Sequence, residues 1–268
     1  AWWAADRRVG LITAALWMAK PAALAHNTFA QDGVYTVFFV TALALSWRVI
    51  TRPVRSWGQG VVLGVVFAIT TQLSYSWCIL TSIFAAFALW QGGRAGWSRL
   101  DWLARLLVPL TVLAALSGLF LHWYGLDYLA IYFTSSFYVA SFYTFANAYQ
   151  WTMALVGGQL AILVMLGAIT ASWFVARVLP GWWRERARSP AAAFALIVLG
   201  FYLIPILVGP ACLKMETERC WSWITVLPLA GVAQAVAARA DGPRVLVWLL
   251  AAGLLPYLGS RLFICYLS

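Results

Sequence analysis

Long apolar runs alternate with short polar breaks along this chain, and the breaks alternate in character. Runs at 9–25, 34–50, 57–90, 106–122, 152–175, 191–208, 221–238 and 245–266 read as helices, most close to the ~20 residues that carry a helix across a hydrocarbon core. Every second break collects arginine: Arg7-Arg8, then Arg48, Arg52 and Arg55, then Arg94, Arg99 and Arg105, then Arg177, Arg184, Arg186 and Arg188, and last Arg239 and Arg244. The breaks between them hold Asp32, Asp127, Glu216 and Glu218 with few basic residues. Lys and Arg accumulate in cytoplasmic loops of membrane proteins, so the rhythm orients the chain. Residues 51–56, 91–101, 180–189 and 240–243 are expected inside, and 26–33, 124–150 and 210–219 outside.

Two stretches need a decision. Residues 57–90 would reach about 50 Å as one helix, against a core of about 30 Å. The polar break at 70–76 divides them into two short helices meeting at an external turn, the first bearing a Gly60/Gly64 pair that permits close helix packing. Residues 123–151 are crowded with aromatics and hold Asp127 as their one charge. Were they to cross, the cluster 177–188 would fall outside, so they are expected to form an external interfacial or re-entrant segment. The fold class is therefore all-α, a polytopic transmembrane bundle of about nine spans with the N-terminus inside and the C-terminus outside. It forms a single integral membrane domain over 1–268. Lys20, near the outer end of the first span, is expected to snorkel.

Composition agrees: 64% hydrophobic, 10% charged, mean hydropathy +0.85. The net charge of +10 is accounted for by loop arginines, which leaves no case for nucleic acid. Seventeen Trp suit a chain with many interfacial helix ends.

No CxxC, HExxH, Walker or dinucleotide-binding pattern is present. His26 and His122 near the external face read as polar caps more readily than as metal ligands, so no metal site is assigned. The densest polar chemistry is Lys214-Met215-Glu216-Thr217-Glu218-Arg219-Cys220-Trp221, just ahead of an apolar run. It is either a solvated loop with internal ion pairs of little worth, or a site in which Glu216 and Arg219, three apart, share a helix face. The Arg fork there suits phosphate, and a carboxylate suits sugar hydroxyls or a cation. Asp32 is either a helix N-cap or first-turn acid, or a carboxylate at the outer mouth of a cavity. Cys212 and Cys220 share one external loop, where a disulfide and small buried thiols are both open.

Three places carry a resemblance: the turn ending in Asp32, the split helices with Gly60, Gly64 and the Leu73-Ser74-Tyr75 break, and Glu216-Thr217-Glu218-Arg219-Cys220-Trp221 before a helix containing Pro228. Together they resemble the membrane part of bacterial GT-C type glycosyltransferases. The likeness covers most of the chain, and the Glu-Thr-Glu-Arg-x-Trp stretch is its most specific part. It implies a multi-pass protein of the bacterial plasma membrane that transfers sugar from a polyprenyl-phosphate donor to a glycan or lipid acceptor at the outer face. Arg219 and Lys214 would then meet the phosphate. Asp32, Glu216 and Glu218 would meet sugar, acceptor or metal, with Asp32 the candidate catalytic carboxylate. A divalent cation is the one cofactor this chemistry leaves open. Such enzymes carry an acidic motif in a first external loop ahead of the spans seen here, so the chain is expected to be N-terminally incomplete, without that loop and its main catalytic acid. The rival classes are a transporter or flippase, which a visible repeat and mid-membrane charges would favour, and a non-catalytic membrane scaffold.

Overall fold

The computed structural model describes residues 6–20, 32–52, 57–73, 77–125, 166–208 and 222–267, with 127, 130, 134, 152 and 156 as single positions. Among them the regular structure is all helical. Helix α1 is Arg7–Ala19, α2 Asp32–Thr51, α3 Trp57–Leu73, α4 Trp77–Ala95 and α5 Arg99–Tyr124. Helix α6 starts as Ala168–Trp173 and passes through a wider turn, Phe174–Val178, into Leu179–Glu185; α7 is Pro190–Val208. A 3-10 turn at Ser222–Thr225 leads into α8, Val226–Ala237, and α9 is Gly242–Leu267. Two described stretches, Val34–Thr51 and Arg99–Tyr124, are long and apolar enough to cross a membrane. Trp57–Leu73, Pro190–Phe201, Val226–Ala237 and Gly242–Leu254 are apolar but shorter, so the helices establish the all-α class and not a count of nine spans.

Several helix limits differ from the hydropathy reading, each for a local reason. The first run was expected to continue to residue 25, but α1 stops at Ala19. Pro21 drives Lys20 out of the helical region, to φ −69° and ψ 144°. The 13 residues of α1 extend only about 20 Å. The arginine break 91–101 is itself mostly helix. Ser98 starts α5 with a capping box, its hydroxyl accepting from the Asp101 N–H at 3.2 Å while the Asp101 carboxylate accepts from the Ser98 N–H at 3.1 Å. The break expected over 70–76 is narrower, since Thr70 and Thr71 remain in α3. Their hydroxyls donate back to the Phe67 and Ala68 carbonyls at 2.7 and 2.6 Å.

Prolines also shape α5 and α6 without ending them. Pro109 and Pro180 have no N–H to return to the carbonyl four residues back. In both helices the preceding turn widens to π geometry, the residue before the proline bonding five back, Val108 to Leu103 and Leu179 to Phe174. Residues 180–185, expected in a loop, are therefore helical.

The helices form two compact units. The first comprises α2 from Val37 onward, α3, α4, α5 and α7. Its centre is aromatic: Phe87 lies 4.7 Å from Phe194 and is stacked on Trp47 at 5.6 Å, with Phe67 packed edge-on against Phe84. At the arginine-bearing end Arg105, only 5% exposed, donates through Nη1 to the carbonyls of Val49 at 3.2 Å, Ile50 at 3.0 Å and Arg52. Asp101 stands 3.7 Å from its Nε and the Trp97 ring lies 5.1 Å away. Arg94 reaches the Arg188 carbonyl at 3.1 Å. Arg52, Arg94, Arg105 and Arg188 thus share one end of this unit, as the charge rhythm requires. The second unit comprises α1, the start of α2, α6, α8 and α9.

Helices α3 and α5 run parallel and close along the Gly60/Gly64 pair. A Cβ on Gly64 would stand 2.6 Å from both the Pro109 carbonyl oxygen and Val112 Cβ, neither able to swing aside. Gly64→Val is therefore expected to cost about 1–3 kcal/mol or more through overpacking. Gly118→Ala, where a Cβ meets nothing within 4 Å, should be neutral or mildly stabilising. Unfolding midpoints of the purified protein in mild detergent decide this, and equal midpoints for the two variants would refute the seam.

Candidate functional site

Polar chemistry in the second unit gathers at its two opposite ends. One end is made where α1 stops. Lys20 was expected to snorkel outward, but its side chain is 1% exposed and turned inward. Its Nζ donates to Thr225 Oγ1 at 2.5 Å and stands 5.0 Å from the centroid of the Trp17 ring. Thr225, 2% exposed, closes the 3-10 turn at the head of α8. An ammonium in such surroundings is stable only where a hydroxyl or π face answers it, so the cap position that Pro21 creates also aims the lysine into the unit.

That bond joins two positions that neighbour, in sequence, the segments nominated above. From Lys20 the chain proceeds towards Asp32, which is the first residue of α2, as expected for an acid opening that helix. Thr225 receives the chain from the Lys214–Trp221 stretch. Lys214, Glu216, Glu218 and Arg219 lie outside the described residues, as do Cys212, Cys220 and His26.

The other end holds the basic breaks. Arg7 and Arg8 at the head of α1 lie beside Gly242 and Pro243 at the head of α9, while Gly253 of α9 packs against Ala19, so these two helices run parallel. Helix α8 runs antiparallel to both, its head at Lys20 and its foot at the turn before Gly242. Gly231 leaves room for Val178 and the Trp182 ring of α6, which a Cβ would approach to 2.5 and 2.6 Å. The Arg7-Arg8 and Arg239–Arg244 breaks of this unit therefore share one end, and the Lys20–Thr225 joint lies at the other.

Of the remaining sequence candidates, His122 is exposed in the last turn of α5, and among the described residues no three His, Cys, Asp or Glu side chains cluster as a metal site. Trp123 and Tyr124, each 66% exposed, end α5 at Gly125, whose φ of +65° closes the helix. The rest of the aromatic segment 123–151 is outside the described residues apart from single positions. Sequence reading missed both Lys20 and Arg105 as buried cations. The Lys-Pro step was the available signal for the first, and the Ser-x-x-Asp box four residues ahead was the signal for a helical Arg105.

No protein-family profile, curated protein or solved structure matches the chain.

The joint makes a testable energetic claim. Thr225→Val should remove one hydrogen bond from the buried ammonium and cost about 1–3 kcal/mol. Adding Lys20→Met should recover most of that loss, since a buried pair replaced by apolar groups of similar volume is close to neutral. A double-mutant cycle of unfolding free energies reads the coupling, and additive single and double variants would show that the bond contributes nothing.

Proposed function

We propose that this chain is a multi-pass protein of the bacterial plasma membrane that transfers sugar from a polyprenyl-phosphate donor to a glycan or lipid acceptor at the outer face. The observation that carries the reading is the Lys20–Thr225 joint, at the end of the second unit opposite Arg7, Arg8 and the Arg239–Arg244 break. The charge rule makes the arginine end cytoplasmic. The segments bearing Asp32 and Lys214–Arg219 then leave from the outer end. Large apolar side chains on the helix surfaces, among them Val37, Val247 and Trp248 at 63, 65 and 75% exposed, support a lipid environment.

In this reading a carboxylate, with Asp32 the candidate, takes the proton of the acceptor hydroxyl as it attacks the anomeric carbon. Arg219 and Lys214 stabilise the charge developing on the departing lipid phosphate. Glu216 and Glu218 hold sugar hydroxyls or a divalent cation. A carrier reading draws on the two interrupted helices, α5 and α6, but the following prolines account for both interruptions.

Transfer from a polyprenyl-phosphate sugar should be abolished by Arg219→Ala in the full-length protein with membrane insertion intact. Arg219→Lys should retain part of it, since a point charge replaces a fork. Full activity in Arg219→Ala removes the phosphate role. The orientation is checked separately by labelling single cysteines in intact cells. A cysteine at Asn147 should react with an impermeant reagent and one at Ser189 should not, and the reverse pattern would invert the whole assignment.

A further inference from the structure

The arginine end of the second unit holds a groove that the transfer chemistry does not use. It encloses about 440 Å³ where α1 and α9 start side by side, lined by Arg7, Arg8, Leu11 and Ile12 from one helix and Pro243 and Leu246 from the other. Its surface is almost wholly carbon although two arginines contribute to it. They therefore line the groove with methylene stems and keep their guanidiniums off its carbon floor. Leu11 is 62% exposed, so the floor is open and uncovered.

The nearby carboxylates are committed elsewhere. Asp6 caps α1, accepting from the Arg8 and Val9 N–H groups at 2.8 and 3.3 Å. Asp241 accepts both of its bonds from Arg239, at 2.7 and 2.8 Å, and this pairing holds its carboxyl below the usual range. Arg7 and Arg8 have no carboxylate partner among the described residues. Two parallel helices also turn the positive ends of their dipoles here.

We infer that this groove binds an anionic phospholipid, one acyl chain lying along Leu11, Ile12 and Leu246 and the phosphate meeting Arg7 and Arg8. A free phosphate leaves the apolar floor bare, and a zwitterionic lipid leaves the paired cations without a net counter-charge; an anionic lipid answers both. The inference shares the orientation proposed above but not the sugar-transfer reaction, because binding itself is read.

The test is native mass spectrometry of the full-length, delipidated protein in neutral detergent, titrated with phosphatidylglycerol and with phosphatidylcholine of the same chains. Phosphatidylglycerol should bind about thirty-fold more tightly, with one electrostatic contribution from each arginine. Arg7→Gln with Arg8→Gln should bring the ratio close to one, whereas Lys at both positions should keep most of it. Leu11→Ser with Leu246→Ser should weaken both lipids alike. Equal affinities in the parent protein, an undiminished ratio in the Gln pair, or full displacement of the lipid by excess inorganic phosphate would overturn the proposal. Both arginines are exposed, so the Gln pair should remain folded, as its unchanged charge-state distribution would show.

Discussion

The last carbonyls of a helix have no intrahelical partner, and in surroundings as apolar as these they must find one within the protein. At the end of α2 a single guanidinium meets that need. Arg105 gathers three carbonyls from the end of α2 and the residue just beyond it, with Asp101 and the Trp97 ring close to its charge. A buried cation with fewer partners would be a liability. With these it is a clamp, because the end of α2 cannot leave without exposing both the carbonyls and the charge. The α4–α5 turn is held by the same contact, since Trp97 packs edge-on against Trp102, whose ring fills the space that Gly92 leaves empty. The aromatic centre of Trp47, Phe87 and Phe194 packs between elements whose ends are thereby fixed.

The second unit solves a similar problem with a different cation. Lys20 sits where a proline has stopped α1, and it ties that stop to the head of α8. Its two ends consequently differ in chemistry: one has exposed arginines over a carbon floor, the other a buried lysine from which two polar segments depart. The function proposed here, a lipid-borne phosphate handled on one face and an anionic leaflet met at the other, would use this polarity. Neither end requires the other to be rebuilt if its ligand changes.

Much of this was legible in the sequence, and the parts that were not share a cause. The arginine rhythm brought Arg94, Arg105 and Arg188 to one end of a unit, and Arg7, Arg8 and Arg244 to one end of another, because charges placed near helix ends stay at that end even when the helix limits shift by several residues. Gly60 and Gly64 marked a close seam, though nothing in their spacing named Pro109 and Val112 as the partners. Helix limits failed where a few side chains outweigh hydropathy: Pro21 shortening α1, the Ser98–Asp101 box starting α5 well before its apolar run, and Pro180 being absorbed rather than ending α6. The inward turn of Lys20 was hidden for another reason. Snorkelling is the default for a lysine at a helix end, and only tertiary packing around Thr225 overrides it. Of the nominated site, Asp32 at the head of α2 is the part whose helical position the fold confirms.

The widened turn at Leu103–Leu107 also sets the phase of everything beyond it. Ala104, Val108 and Val112 all face the glycines of α3, though residues spaced by four drift about 40° per step around a straight α-helix. The extra residue in the π turn takes up part of that drift and keeps the three in one line. A face count carried at 3.6 residues per turn from Arg99 to Tyr124 is therefore out of phase after Leu107. Deleting one residue within the turn would hardly alter hydropathy or length, yet it would swing Val112 and the whole outer half of the helix through about 100°.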